Sequence, residues 1–132
     1  MALATRGTVA SIDAIQGQKA PYISGLVAAE DLDALAACVI QADGTVAMSD
    51  GTAAGAAAKF HGIAPKAYRA GEAVSLYGPG TRAEYGSGLT PGAPLYVAAT
   101  AGRLDTAATT GGTAPVALAI NDREIVVTAL SV

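Results

Sequence analysis

A single histidine, a single cysteine and a scatter of carboxylates are the residues in this sequence whose types suit chemistry. His61 would need carboxylates to complete a metal site, and any Ser-His-Asp arrangement would have to use this one residue. It falls in Lys59-Phe60-His61-Gly62-Ile63, which reads as strand, and a period of two sets it opposite Phe60 at a surface or subunit interface. Cys38 has no second cysteine, which excludes an internal disulfide, a Cys-X-X-Cys site and a multi-cysteine metal centre. Its expected role is that of a small buried hydrophobe. Glu30, Asp31 and Asp33 lack the spacing and the distal bidentate Glu of a calcium loop, so they read as a solvated turn. Gly78-Pro79-Gly80 is a turn and not a phosphate cradle, because Pro79 removes a backbone donor and no Gly-Lys-Ser/Thr follows. No catalytic, cofactor-binding or metal-binding residue emerges, and the chain reads as a protein that is not an enzyme.

The elements around these residues read as β throughout. In 88–105, Thr90-Pro91-Gly92 is a turn, Leu95-Tyr96-Val97 a strand, and Arg103-Leu104-Asp105 its partner beyond a loop of small residues. Residues 32–48 carry the same order, with Asp43-Gly44 as the hairpin turn, and the two stretches align with one insertion. A small-residue loop follows each, 49–57 or 106–113, and then a strand, 60–64 or 116–120. Residues 70–85 read as a further hairpin, with Val74 and Leu76 on one face, and 124–130 as a closing strand locked into the sheet. The acidic stretch 30–37 suits either a short helix or a turn. The fold class expected is all-β, a small barrel or sandwich of repeated hairpins, with at most one short helix and an extended N-terminal arm. The arm covers 1–23 and a single β domain covers 24–132. Thr8 to Ile12 could pair with a sheet edge, of its own chain or a neighbour's, or belong to a frayed terminus.

With 132 residues the chain can bury roughly two thirds of its unfolded surface. Its core must be built of small parts, since there is no Trp and only one Phe and five Tyr. Low buried area per residue points to some stability from assembly. Tyr22, Tyr68, Tyr77, Tyr85 and Tyr96 suit either the rim of the core or interface anchors. A net charge of −3 with scattered basic residues argues against nucleic acid, and no apolar run is long enough to cross a bilayer. No secretory signal is visible, so synthesis in a cytosol is expected.

Residues 46–57 (VAMSDGTAAGAA) with Gly62-Ile63-Ala64 resemble the small decoration, or cement, proteins of tailed-bacteriophage capsids, including the lambda-type head decoration family. Ala70-Gly71-Glu72-Ala73-Val74, residues 89–97 and Gly102-Arg103-Leu104 are similar to a related group of phage cement proteins built from repeated turn-strand units. Together the likeness spans about 25–132 and implies a compact β fold, often a homotrimer, on the outer capsid surface of the virion. Such a structural protein binds the phage major capsid protein after shell expansion and holds neighbouring subunits against DNA pressure. The implied partners are the capsid protein and further copies of the chain, with no nucleic acid, membrane or cofactor. The expected capsid-binding residues are Thr8, Val9, Ile12, Ile15 and Tyr22 of the arm. The expected subunit interface is His61, Tyr77, Tyr85 and Tyr96. The alternative is a β-domain module for carbohydrate or receptor binding on a virion surface, with exposed tyrosines as a sugar platform.

Overall fold

A computed structural model of the chain describes residues 3–11 and 22–131. They form an all-β protein with two sheets. Strands β1 (Thr5–Ser11), β2 (Tyr22–Ala28), β3 (Ala37–Ile40), β4 (Thr45–Met48), β5 (Gly62–Ile63) and β6 (Ala73–Tyr77) come first along the chain. They are followed by β7 (Arg82–Ser87), β8 (Pro94–Val97), β9 (Leu104–Asp105), β10 (Ala117–Ala119) and β11 (Glu124–Val127). Strands β2-β4-β3-β5-β6 close into a barrel, and β1-β7-β11-β10-β8-β9 make a six-stranded sheet.

The two sheets are built on one plan. In the barrel β2 pairs β6, β6 pairs β5, β5 pairs β3 and β3 pairs β4, all antiparallel. In the second sheet β7 pairs β11, β11 pairs β10, β10 pairs β8 and β8 pairs β9, again all antiparallel. The duplication therefore runs from β2 to β6 and from β7 to β11, beyond the hairpins in which the sequence shows it. Closure is where the halves differ. The barrel shuts by parallel pairing of β2 with β4, whereas β1 lies against β7 and Leu3 bridges Asp105 in β9. The first strand of the chain thus spans the gap that the second unit leaves open.

Turn chemistry explains most of the hairpins. Gly44 and Gly92 have φ of 86° and 82°, a region costly for any residue with a Cβ, and each sits at the turn the sequence marks. In the first turn the Asp43 carboxylate accepts both the Thr45 N–H and its hydroxyl, at 3.0 and 2.6 Å. The same Asp-Gly-Thr device recurs at Asp50, which accepts the Thr52 N–H at 2.9 Å and its hydroxyl at 2.6 Å.

Two expectations need correction, and two open readings resolve. Residues 70–85 are not a hairpin: β6 belongs to the barrel and β7 to the other sheet, so Gly78-Pro79-Gly80 is a crossing between units. The cause is the capture of the turn's far side by β11, since Gly80 N–H donates to the Val127 carbonyl and Val127 N–H to the Thr81 carbonyl. The strand read over 60–64 is only Gly62–Ile63, and the short helix among the described residues is a 3-10 turn at Ala56–Ala58. The acidic stretch 30–37 is a turn in which Leu35 takes φ 56°, held there by its N–H bond to the Ala64 carbonyl and by complete burial. Finally, the first part of the expected arm is strand β1, paired within its own chain.

The halves share a core. Leu35, Ala37, Phe60 and Ile63 from the first unit pack with Tyr85, Leu95, Val97, Leu104 and Ile125 from the second. A separate cluster of Leu32, Cys38, Val46, Val74 and Leu76 fills the barrel. Backbone bonds join the units: Ala37 N–H to the Gly102 carbonyl, Gly102 N–H to that of Ser49, and Gly51 N–H to that of Ala98. Gly51 and Gly112 sit where this interleaving leaves no room, a Cβ on either meeting backbone or Thr109 Oγ1 below 3.0 Å.

Candidate functional site

The residues suited to chemistry are tied into the backbone. Glu30 accepts the Met48 N–H at 2.9 Å, Asp31 that of Ala70 at 2.9 Å and Glu72 that of Arg69 at 2.6 Å. Asp105, wholly buried, accepts the Ala107 N–H at 2.9 Å. These carboxylates cap turns, and that use spreads them over the loops of both units. Among the described residues no group of three or more His, Cys, Asp or Glu could hold a metal ion. No helix among them is long and apolar enough to cross a membrane.

His61 is half-buried, and its Nδ1 accepts the Ile40 N–H at 2.9 Å, closing a gap between β3 and the start of β5. Burial, then the Lys59 charge, hold its pKa below the ordinary histidine value. A proton on Nδ1 would displace the Ile40 bond. Because the folded pKa lies below the unfolded one, the unfolded chain binds the proton more readily. Stability should be at its full value above about pH 6.5 and decline as pH falls toward the folded pKa. Urea midpoints measured across that window should show the slope, and a His61→Gln variant should flatten it.

Asp43 and Asp50 add a separate acid limb. Hydroxyl and backbone bonds from Thr45 and Thr52 hold both carboxyls below the usual range. Their contribution is complete above the unfolded carboxylate value and is lost as pH falls through the folded one.

Cys38 is fully buried, its thiol donates to the Ala36 carbonyl at 3.3 Å, and burial with the nearby Glu30 charge pushes its pKa up to about 12. The thiolate is the reactive form, so the native protein should resist a thiol reagent at neutral pH and react at once in denaturant. Fast native labelling would contradict this burial.

Tyr77, Tyr85 and Tyr96 do not form one surface. Tyr77, on β6, and Tyr96, on β8, are half-buried and belong to different sheets. Tyr85 presents no surface at all: it is completely buried and its hydroxyl accepts the Leu104 N–H at 3.2 Å. The subunit-interface assignment of Tyr85 is therefore corrected to a core role. Thr8 and Val9 lie in β1, and Tyr22 opens β2 opposite Tyr77. Ile12 and Ile15 lie outside the described residues.

What the surface does offer is apolar. Among the described residues Leu3, Ile23, Val27 and Leu118 are the large hydrophobic residues left exposed, at 36 to 44%. Leu118 runs against its sequence, since Ala117-Leu118-Ala119 is apolar throughout and it is the two alanines that face the core. Ile23 and Val27 were hidden by the bulge between them in β2. Two clefts accompany them. One of about 450 Å³ lies among the 54–59 loop, the 110–116 loop and residues 129–131, and the other, about 370 Å³, runs along β3 and β4 beside Ala56 and Ala57. No tyrosine lines either.

No family of proteins, curated protein or solved structure matches the chain.

Proposed function

We propose that the protein is a structural capsid decoration protein, a cement protein that sits on the outer surface of a bacteriophage head and bridges neighbouring major capsid subunits. The observation that carries this reading is the duplicated β body itself: Glu30, Asp31 and Glu72 are engaged by backbone amides while large apolar side chains stand outward on β2 and β10. A body of that kind suits adhesion over a broad surface, where a few apolar anchors supply most of the binding energy. Many copies bound across capsomer joints stabilise a shell by mass action and slow its rupture. The resemblance of 46–57 and 89–97 to phage cement proteins points the same way, and homotrimer formation on the virion belongs to this proposal.

The test is co-sedimentation of purified protein with expanded shells of a tailed phage. Binding should be saturable, raise the temperature of shell rupture, and weaken when Val27→Asp or Leu118→Asp is introduced. Failure to sediment with any expanded shell would remove the reading. The carbohydrate- or receptor-binding alternative draws no support from Tyr77 and Tyr96, which lie in separate sheets and line neither cleft.

A further inference from the structure

We infer that β1 is an exchangeable closing strand, and that copies of this chain join by placing residues 3–11 of one copy into the β7–β9 gap of the next. The partner is a second copy, because the gap is shaped for this strand and every copy carries it.

The duplication defines the gap. The first unit closes itself with β2 against β4, while the equivalent strands of the second unit, β7 and β9, are not paired with each other. Both are instead engaged by the first strand: Thr5 and Arg6 pair with Ser87 and Gly86, and Leu3 with Asp105. Specific contacts fix the fit. Ala4 N–H donates to the Leu104 carbonyl at 3.0 Å, Arg103 donates to the Ala4 carbonyl at 3.0 Å, and Arg6 reaches Asp33 of the barrel at 3.1 Å. At Gly86 the two backbones are so close that a Cβ would overlap the Thr5 carbonyl. The second unit thus accepts an extended strand with a bare backbone at that point.

Release of residues 3–6 exposes little. Of Leu3, Ala4, Thr5 and Arg6, only Ala4 belongs to the core, and Leu3 is already exposed at 41%. Residues 3–6 are held mainly by backbone bonds and polar contacts, which a copy inserted from outside remakes in full. Insertion within a copy and between copies therefore uses the same contacts, and concentration and the connecting segment decide between them. Because each copy both gives and receives a strand, the contact is head-to-tail and a ring is its closed form. Nothing in this assembly depends on a capsid.

Paired cysteines in the full-length protein test it. Thr5 and Ser87 are exposed and directly opposite, a placement that a disulfide can span. Copies with Thr5→Cys alone and isotope-labelled copies with Ser87→Cys alone are refolded together over a range of concentrations and oxidised. The linked products are then identified by mass. Linkage of the unlike copies should exceed linkage of like copies several-fold and grow with concentration, with the β circular-dichroism spectrum kept. The Ser11→Cys and Glu84→Cys pair, the register match beyond the bulge, repeats the measurement should the first pair not fold. The inference is overturned if unlike copies never link preferentially while the Thr5→Cys/Ser87→Cys double variant links within one chain at every concentration.

Discussion

Replacing Gly86 with alanine should destabilise the protein by about 3 kcal/mol or more, the upper end of what a misplaced methyl costs in a packed interior. The Cβ would overlap the Thr5 carbonyl oxygen and stand 2.6 Å from its carbon and 3.0 Å from the Arg6 Cα. All three are backbone atoms, so no rotamer change relieves the overlap. Either β1 leaves its place or β7 shifts, and β7 is held on its other side by Glu124, Ile125 and Val126. The strand that yields is β1. Gly7 supplies the control, because a Cβ there meets the Gly86 Cα at 3.6 Å, an ordinary contact. Gly86→Ala should lower the urea midpoint far more than Gly7→Ala, and the Ala4 amide, bonded to the Leu104 carbonyl, should lose its protection from exchange. Equal midpoints for the two variants would show that β1 does not pack on β7 as described.

That close approach marks where sequence reading stops. Gly44 and Gly92 were legible because the residues that demand them are their neighbours, Asp43 and Thr45 in one turn and Pro91 in the other. Gly86 is demanded by a strand some eighty residues earlier, and nothing in Tyr85-Gly86-Ser87 announces it. The crossing at Gly78-Pro79-Gly80 failed for the same reason. Two apolar stretches around a turn satisfy the local rule for a hairpin, and only the pull of β11 on Gly80 and Thr81 sends β7 into the other sheet. The repeat was half visible. Its hairpins share spacing, but the connection from β5 to β6, 64–72, is longer than that from β10 to β11, 120–123, and this obscures the equivalence of β6 with β11.

The candidate surface was legible in kind more than in place. Carboxylates spaced without a ligand pattern do serve turns, as Asp43 and Asp50 do through their threonines. The histidine read as a polar position in a strand is an acceptor for the Ile40 amide, a role that no one-dimensional pattern encodes. Tyrosines are ambiguous from sequence because the same ring suits a core or an interface, and burial alone separates Tyr85 from Tyr77 and Tyr96.

Tyr85 carries the second large expectation. It is the largest of the fully buried side chains, and it packs in the core that both units share. Tyr85→Ala should cost about 3–5 kcal/mol, the range for deleting an aromatic ring from a packed interior. Tyr85→Phe isolates the hydroxyl. It keeps the ring but leaves the Leu104 N–H without its acceptor at the point where β9 meets β8, a loss of about 1–3 kcal/mol. The two variants should therefore fall in order below the wild type in denaturant unfolding, while Tyr96→Ala, at a half-buried position on β8, should fall least. The ordering separates a core tyrosine from an interface one: an interface residue would leave the folded monomer intact and change only the assembly. If Tyr85→Ala kept the wild-type midpoint and altered oligomer mass alone, the shared core would be wrong at its centre. A lowered midpoint at a dilution where the wild type is monomeric would place the effect in the fold, because at that dilution no partner contributes to stability.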